Sequence, residues 1–225
     1  MIVAFILFLV YNIEDTSSPT GEDRIHRRRD YRSMGREFEL KYAATADVQD
    51  AIRQAYGSWR QIQMETTYFD TPTGMLSARH MTLRLRKENA ETVCTLKTPL
   101  PDGSRGEWEC TATDILSGIR QLIVLGAPAE LASLTEQGVV PSCGARFTRL
   151  ATEVTTADGI AELALDRGIL LGGNREQALC EVEVDLKSGT DTAAIAFAQA
   201  LAAQYDLQSE SKSKFCRAMD LAAGE

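Results

Sequence analysis

The segment Glu37-Phe38-Glu39-Leu40-Lys41 alternates charged and apolar side chains residue by residue. Successive side chains of a β-strand point to opposite faces, so the two apolar residues are expected on one face and the charged groups on the other. Five later segments repeat this alternation, at 83–86, 94–97, 107–109, 163–166 and 181–185. The repetition predicts a sheet with one apolar face and one face rich in carboxylates, amines and guanidinium groups.

Two structures could produce this alternation. An exposed face of an antiparallel sheet also carries charged residues, because Lys and Glu pair across strands for about 0.2–1 kcal/mol each. Such a face usually mixes both signs with Ser, Thr and Gln, whereas here acidic residues cluster on some strands and basic residues on others. We therefore interpret the charged face as the inside of a closed barrel, which can hold a ligand.

Apolar residues recur at helical spacing in four further segments. The pattern predicts helices at 46–59, 114–125, 128–137 and 191–205. Their apolar stripes are expected to pack against the apolar face of the sheet. The predicted fold class is therefore α+β, a closed antiparallel β-barrel with helices packed outside.

Composition and charge exclude several classes of protein. The 225 residues carry a formal net charge of −8, so the surface should repel nucleic acid and anionic membranes. The five cysteines are odd in number and lack a CxxC pair, which argues against a disulfide framework and a zinc site. We predict a cytoplasmic protein, a monomer or homodimer, with neither nucleic acid nor membrane as a partner.

The first 33 residues differ from the rest of the chain. Residues 1–13 are apolar but shorter than the roughly 20 residues that span a bilayer, and residues 14–33 are polar. We interpret 1–33 as a disordered extension upstream of a biological start at Met34, with one domain at 34–225. The alternative is a weak membrane-associating segment.

The ordered motifs resemble those of the CYTH superfamily, the triphosphate tunnel metalloenzymes. The ExExK spacing at 37–41 is followed by TTYFDTP at 66–72, TLRLRKE at 82–88, CTLKTP at 94–99, RGEWE at 105–109, CEVEVD at 180–185 and SKSK at 211–214. YFDTP and RGEWE are most similar to the bacterial inorganic triphosphatase branch. The resemblance implies an eight-stranded antiparallel tunnel with helices outside.

The resemblance also implies a site inside that tunnel. The phosphates would be bound by Lys41, Arg84, Arg86, Lys97, Arg149 and Lys212. Arg146 and Arg149 are three residues apart and fall on opposite faces of a strand, and we favour Arg149 for the inner face. One or two divalent cations, Mg²⁺ or Mn²⁺, would be held among Glu37, Glu39, Glu107, Glu109, Glu181 and Glu183. Glu181 and Glu183 are the first choice as direct ligands; the alternative is that these acids balance the charge of lumenal Lys and Arg, as Asp166 is expected to do.

The function implied by the resemblance is metal-dependent hydrolysis of inorganic triphosphate to pyrophosphate and phosphate. Glu37, Glu39 and Lys41 would be the catalytic residues, and the small-molecule triphosphate would be the partner. Adenylyl cyclase, thiamine triphosphatase and nucleoside triphosphatase activity on the same tunnel are alternatives. A noncatalytic polyphosphate-binding module is another, although such a module would gain little from glutamates that repel its ligand.

Overall fold

The computed structural model describes residues 35–36, 38–100 and 105–224, which belong to one compact unit. The extension 1–33, Met34 and Glu37 lie outside the described residues, so the proposed domain division remains a prediction. Among the helices that are described, none is both long enough and apolar enough to cross a membrane.

Ten strands form a single sheet in which every neighbouring pair is antiparallel. Their order across the sheet is β1-β6-β5-β4-β3-β7-β8-β9-β2-β10. The strands are β1 Gly35–Arg36, β2 Glu39–Ala43, β3 Arg60–Asp70, β4 Thr82–Glu88, β5 Glu91–Pro99, β6 Arg105–Thr111, β7 Val140–Thr155, β8 Ile160–Gly172, β9 Arg175–Ser188 and β10 Gln208–Ser209.

The sheet is not closed by hydrogen bonds within the described residues, so the predicted closed eight-stranded barrel needs correction. β1 pairs with β6 at one end of the order, and β2 pairs with β9 near the other end. The chain between Arg36 and Glu39 can span at most about 11 Å, so the sheet must curl until these ends approach. The outer edge of β2 is already occupied, because β10 pairs with Tyr42 and Ala43 and the Glu210 amide donates to the Lys41 carbonyl at 2.9 Å.

Five α-helices are described alongside the sheet, with a short 3₁₀ helix at Ser77–Arg79: α1 Ala46–Ala55, α2 Ile115–Val124, α3 Glu130–Leu134, α4 Asp191–Tyr205 and α5 Lys214–Ala223. α4 has the predicted bounds. α1 stops short of the predicted end because Tyr56 adopts an extended conformation, with φ −111° and ψ 114°, and Ser58 follows with a positive φ of 66°. α2 begins after Asp114, whose side chain caps the helix by accepting from the Ser117 amide at 2.9 Å. α3 is shorter than predicted, and α5 was not predicted.

Four helices cover the apolar outer face of the curled sheet in two clusters: α2 and α3 pack on β4–β6, and α1 and α4 pack on β2, β8 and β9. α5 packs against β7–β9 from the concave side, because Ile62, Met64 and Phe147 of its cluster lie on the same strand face as the charged residues. Leu83 and Leu96 are fully buried in the first cluster, while their strand neighbours Arg84 and Lys97 face the other way. The predicted alternation is therefore confirmed on these strands, and the charged groups are left on the concave face.

Candidate functional site

The concave face encloses a cavity of about 490 Å³ lined by strands β2–β9 and the start of α5. Among the described residues its basic side chains are Lys41, Arg60, Arg84, Arg86, Lys97, Arg105, Arg149, Lys187 and Lys214. Its acidic side chains are Glu39, Glu88, Glu107, Glu109, Glu162, Glu183 and Asp185. Nine cations and seven carboxylates line the cavity, although the whole chain carries −8. Two of these cations, Arg149 and Lys214, also pair with Asp166 behind the lining, so the other seven dominate its cationic character. The cavity is therefore a place on this acidic protein where a small anion is favoured.

One wall of the cavity, on β4–β6, holds loosely paired charges. The Glu107 carboxylate lies 3.7 Å from an Arg84 nitrogen and 3.4 Å from the Lys97 amine. Glu109 accepts a hydrogen bond from the Thr95 hydroxyl at 2.9 Å and lies 3.8 Å from Arg84. The cation–carboxylate distances exceed ordinary charge-assisted hydrogen bonds of about 2.7–2.9 Å, so these groups can exchange partners with a ligand at modest cost.

Arg86 is a cation on this wall with a lowered pKa. Burial lowers the pKa of its guanidinium and the neighbouring Arg84 lowers it further, while Glu88 and Glu109 act in the opposite direction. Its Nε donates to Glu88 at 2.7 Å. Two partly buried guanidinium groups side by side repel one another, so an anion bound between Arg84 and Arg86 would relieve that repulsion.

The opposite wall contains a buried ion-pair cluster. Asp166, Glu181 and Glu183 each bring one carboxylate oxygen within 4.8 Å of the others, and all three are buried. Arg149 donates two hydrogen bonds to Asp166, at 2.8 and 2.7 Å, and also pairs with Glu183. Lys214 contacts Asp166 at 2.8 Å, Glu183 at 2.5 Å, and Glu181.

Arg217 completes this cluster by pairing with Glu181. The cluster thus contains three carboxylates and three cations and is electrically balanced without any further ion. The oxygen donors are chemically suited to a hard cation, but a divalent ion there would have to displace Lys214 and lie among like charges. The arrangement supports charge balance for these acids, the alternative left open by the sequence.

The pKa shifts in the cluster reflect this pairing. Burial would raise the pKa of Glu183, but Lys214 and Arg149 outweigh it and hold the pKa well below the ordinary glutamate value. Burial would lower the pKa of Lys214, yet the surrounding carboxylates raise it. The pKa of Glu181 is raised by burial and by Glu183, against the opposing effect of Lys214 and Arg217. Glu183, Lys214 and Arg149 are therefore held charged at neutral pH.

Most of the sequence-predicted site residues described by the structure line the cavity: Glu39, Lys41, Arg84, Arg86, Lys97, Glu107, Glu109, Arg149 and Glu183. Glu37 lies outside the described residues. Glu181 is buried in the cluster and is not part of the cavity lining.

The placement of Lys212 in the cavity was wrong. Its side chain is 61% exposed and pairs with Asp220 at 2.8 Å. The physical reason is that Ser213 caps α5, accepting from the Cys216 amide at 3.1 Å, so the strand alternation ends there. Lys214, in the first turn of the helix, enters the cavity instead.

Arg146 and Arg149 lie on opposite sides of β7. Arg149 lines the cavity, whereas Arg146 has a 55% exposed side chain and lies 3.6 Å from Glu176. Sequence reasoning missed Arg217 altogether. The signal that could have found it is the helical spacing of Phe215, Ala218 and Leu221, since a helix at this position places residue 217 three positions after Lys214 and on the same face.

A model of the CYTH domain matches residues 35–219. The chain belongs to the CYTH domain family. It is 29% identical over 191 residues to the inorganic triphosphatase of Haemophilus influenzae, covering 80% of this chain and 53% of that protein. This CYTH chain thus spans about half the length of that curated relative.

Solved structures share the fold of this CYTH protein. A candidate adenylate cyclase from Bacillus halodurans superposes with a TM-score of 0.56 at 17% identity, over 83% of this chain and 98% of that one. A candidate adenylyl cyclase from Hippeastrum, described as having a dominant triphosphatase activity, gives 0.58 at 19% identity, over 84% and 96%. At these identities the likeness establishes the fold alone.

Proposed function

We propose that this CYTH protein hydrolyses inorganic triphosphate to pyrophosphate and phosphate inside the charged cavity. The observation that supports the proposal is the excess of cations in a cavity that also holds several carboxylates, within a chain of net charge −8. Linear triphosphate carries about four to five negative charges, which Arg can bind with planar pairs of hydrogen bonds and Lys with a compact charge. The curated triphosphatase relative supports a phosphoanhydride hydrolase.

The phosphate-binding group would be Lys41, Arg84, Arg86 and Lys97, since each lines the cavity and none belongs to the balanced cluster. Arg84 lies 3.7 Å from Glu107 and 3.8 Å from Glu109, and Lys97 lies 3.4 Å from Glu107, so triphosphate oxygens could replace these contacts. Arg149 would contribute positive potential from the far wall.

A divalent cation, Mg²⁺ or Mn²⁺, would be held by Glu39, Glu107 and Glu109. Their carboxylates line the cavity, and hard oxygen donors suit these ions, which usually keep waters and take substrate phosphates as further ligands. When bound, the ion would neutralise charge on the phosphoryl group. Glu181 is not part of this proposal because it already pairs with Lys214 and Arg217.

In the reaction itself, water attacks the terminal phosphorus, the bond to the bridging oxygen breaks, and pyrophosphate leaves. Glu39, together with Glu37 outside the described residues, would orient the water and accept its proton. Lys41 faces the same cavity two residues further along β2 and would stabilise charge on the phosphoryl oxygens. Arg84 and Arg86 would stabilise the negative charge that moves to the leaving pyrophosphate.

The location and assembly are also proposals. The odd number of cysteines and the acidic surface support a cytoplasmic protein that acts on a small-molecule substrate, and we propose that it does so as a monomer or homodimer. The cavity cations would also attract a longer polyphosphate, so the experiment must compare substrates.

The test is to incubate the purified protein with triphosphate, ATP, thiamine triphosphate and longer polyphosphate, each with Mg²⁺, Mn²⁺ or EDTA, and to quantify all products. We expect triphosphate to yield equal amounts of pyrophosphate and phosphate, only with metal. Lys97→Ala should slow turnover and weaken binding, whereas the matched exterior change Arg146→Ala should do neither. Consumption of ATP or thiamine triphosphate in preference to triphosphate would assign the activity to one of the alternatives, and binding without turnover would support a noncatalytic module.

A further inference from the structure

Lys214 and Arg217 lie three residues apart in the first turn of α5 and project from the same face of the helix. Both contact the Glu181 carboxylate on β9, which is fully buried. Lys214 lines the cavity, whereas Arg217 does not. Arg217 also lies 3.6 Å from Glu210, just before the helix. Glu181 is therefore shared between a cation that reaches the cavity and one that stays behind it.

Loss of the Arg217 charge would unbalance the cluster. Three carboxylates face Lys214, and Arg217 is the cation that offsets Glu181 from behind. If Arg217 lost its charge, the cluster would hold three carboxylates against two cations. The Lys214 amine, which contacts all three carboxylates, would then be held more strongly by Glu181 and less by Glu183, which lines the cavity, because a buried carboxylate attracts its remaining partner strongly at low dielectric.

From this we propose that Arg217 is a positioning residue: by neutralising Glu181 it keeps the Lys214 amine beside Glu183, at the edge of the cavity, where it can turn to a phosphate group bound by the other cations. The inference rests on the proposed function, since it assigns Lys214 a role towards the triphosphate. Arg217 itself touches neither the cavity nor a reacting atom.

Other contacts fix the helix independently of Arg217. Ser213 caps its first turn, and the Phe215 ring packs on Tyr68 with centroids 5.1 Å apart. Ala218 and Leu221 pack into the cluster formed with β3 and β7–β9. Removing the charge at position 217 should therefore change the position of the Lys214 amine while leaving α5 in place.

The test compares Arg217→Met, Arg217→Lys and the double variant Arg217→Met/Glu181→Gln with the wild type. Changing a residue that orients a functional group, such as a partner of a metal ligand, typically lowers activity by about 10- to 100-fold. We expect kcat for triphosphate to fall by that amount in Arg217→Met, with a smaller change in KM. Arg217→Lys should recover most of the loss. The double variant should recover part of it, because Glu181 no longer attracts Lys214. Arg146→Met, which removes an exposed guanidinium outside the cavity, is the matched control and should leave the kinetics unchanged.

A second readout separates this inference from the proposed function. The Lys214 ammonium signal, assigned in ¹⁵N NMR spectra with Lys214→Arg, should shift in Arg217→Met and return towards its wild-type position in the double variant. An unchanged signal together with unchanged kinetics would overturn the positioning role, as would a double variant as impaired as Arg217→Met. If the NMR shifts follow the expected pattern but the wild type hydrolyses no triphosphate, the proposed function fails while the control of Lys214 by Arg217 stands.

Discussion

The Glu183 carboxylate lies between two cations from different elements, Arg149 on β7 and Lys214 on α5. Both hold its pKa below the ordinary glutamate value despite burial. A group with a depressed pKa stabilises the fold at pH values above its unfolded pKa, and that contribution is lost as the pH falls towards the folded pKa. Glu183 should therefore make the protein sensitive to acid, partly offset by Glu181, whose raised pKa acts in the opposite sense.

We expect the free energy of unfolding to fall as the pH decreases below about 5, because the unfolded chain takes up the Glu183 proton first. In Glu183→Gln that fall should be shallower, and stability at pH 7 should be lower by about 3 kcal/mol or more, since a buried pair is broken from one side. Urea unfolding in EDTA at pH 7 and pH 4 measures both effects. Glu176→Gln, at an exposed ion pair, is the control, and identical pH slopes for wild type and Glu183→Gln would contradict the assignment.

The sequence determined which side chains face inward better than it determined their partners. Alternation along a strand separated Arg149 from Arg146, because that depends only on local geometry. The pairing of Arg149 with Asp166 depends on the register of β7 against β8, in which these two residues are opposite one another. Register is fixed by the whole sheet, so whether Glu181 and Glu183 would be ion-paired could not be predicted from the alternation alone.

Close packing of α2 on β5 depends on a glycine. A Cβ built on Gly118 would lie 2.5 Å from the Cβ and the Sγ of Cys94, closer than real Cβ contacts allow. The Cys94 side chain is fully buried and cannot move outward. The helix therefore approaches the sheet at a distance that only glycine permits.

Gly118→Ala should destabilise the protein by about 1–3 kcal/mol, the usual cost of forcing extra atoms into a packed core. The better helix propensity of alanine, worth about 1 kcal/mol, offsets only part of this cost. Urea unfolding at pH 7 provides the measurement, with Gln121→Ala on the exposed side of α2 as a control expected within about 0.5 kcal/mol of wild type. Equal or higher stability of Gly118→Ala would mean that α2 can shift away from β5.

At the scale of elements, the bounds of a helix were predicted correctly where the helical spacing of apolar residues continued without interruption. α4 has apolar residues and a Thr190 cap around an unbroken helical segment, and its bounds were confirmed. α5 was not predicted, because 211–214 was identified only as the SKSK motif, whereas Ser213 caps a helix that starts at Lys214. β10, which occupies the edge of β2 at Tyr42 and Ala43, has two residues and is too short to produce a detectable alternation.

At the scale of the molecule, negative charge predominates over the whole chain and positive charge predominates in the cavity lining. The chain has a net charge of −8, but the cavity lining has an excess of positive charge. A long polyanion such as a nucleic acid would meet the acidic exterior, whereas a small linear anion can be surrounded by the cavity. The same residues thus favour a compact phosphate ligand.

We expect the folded, active domain to begin at Met34. β1 starts at Gly35, and its two residues pair with Glu107 and Gly106 on β6, next to the proposed metal-binding carboxylates. A protein starting at Met34 retains this pairing and every described cavity residue, so we expect it to fold and to keep full triphosphatase activity. A start at Phe38 is the matched comparison, because it removes Glu37 and the pairing that holds the first strand against β6, and it should lose stability and activity. Thermal unfolding and product assays on the full chain and on the proteins starting at Met34 and Phe38 measure stability and activity. Loss of soluble, active protein on starting at Met34 would mean that residues 1–33 contribute to the domain, whereas full activity from Phe38 would contradict the roles of β1 and Glu37.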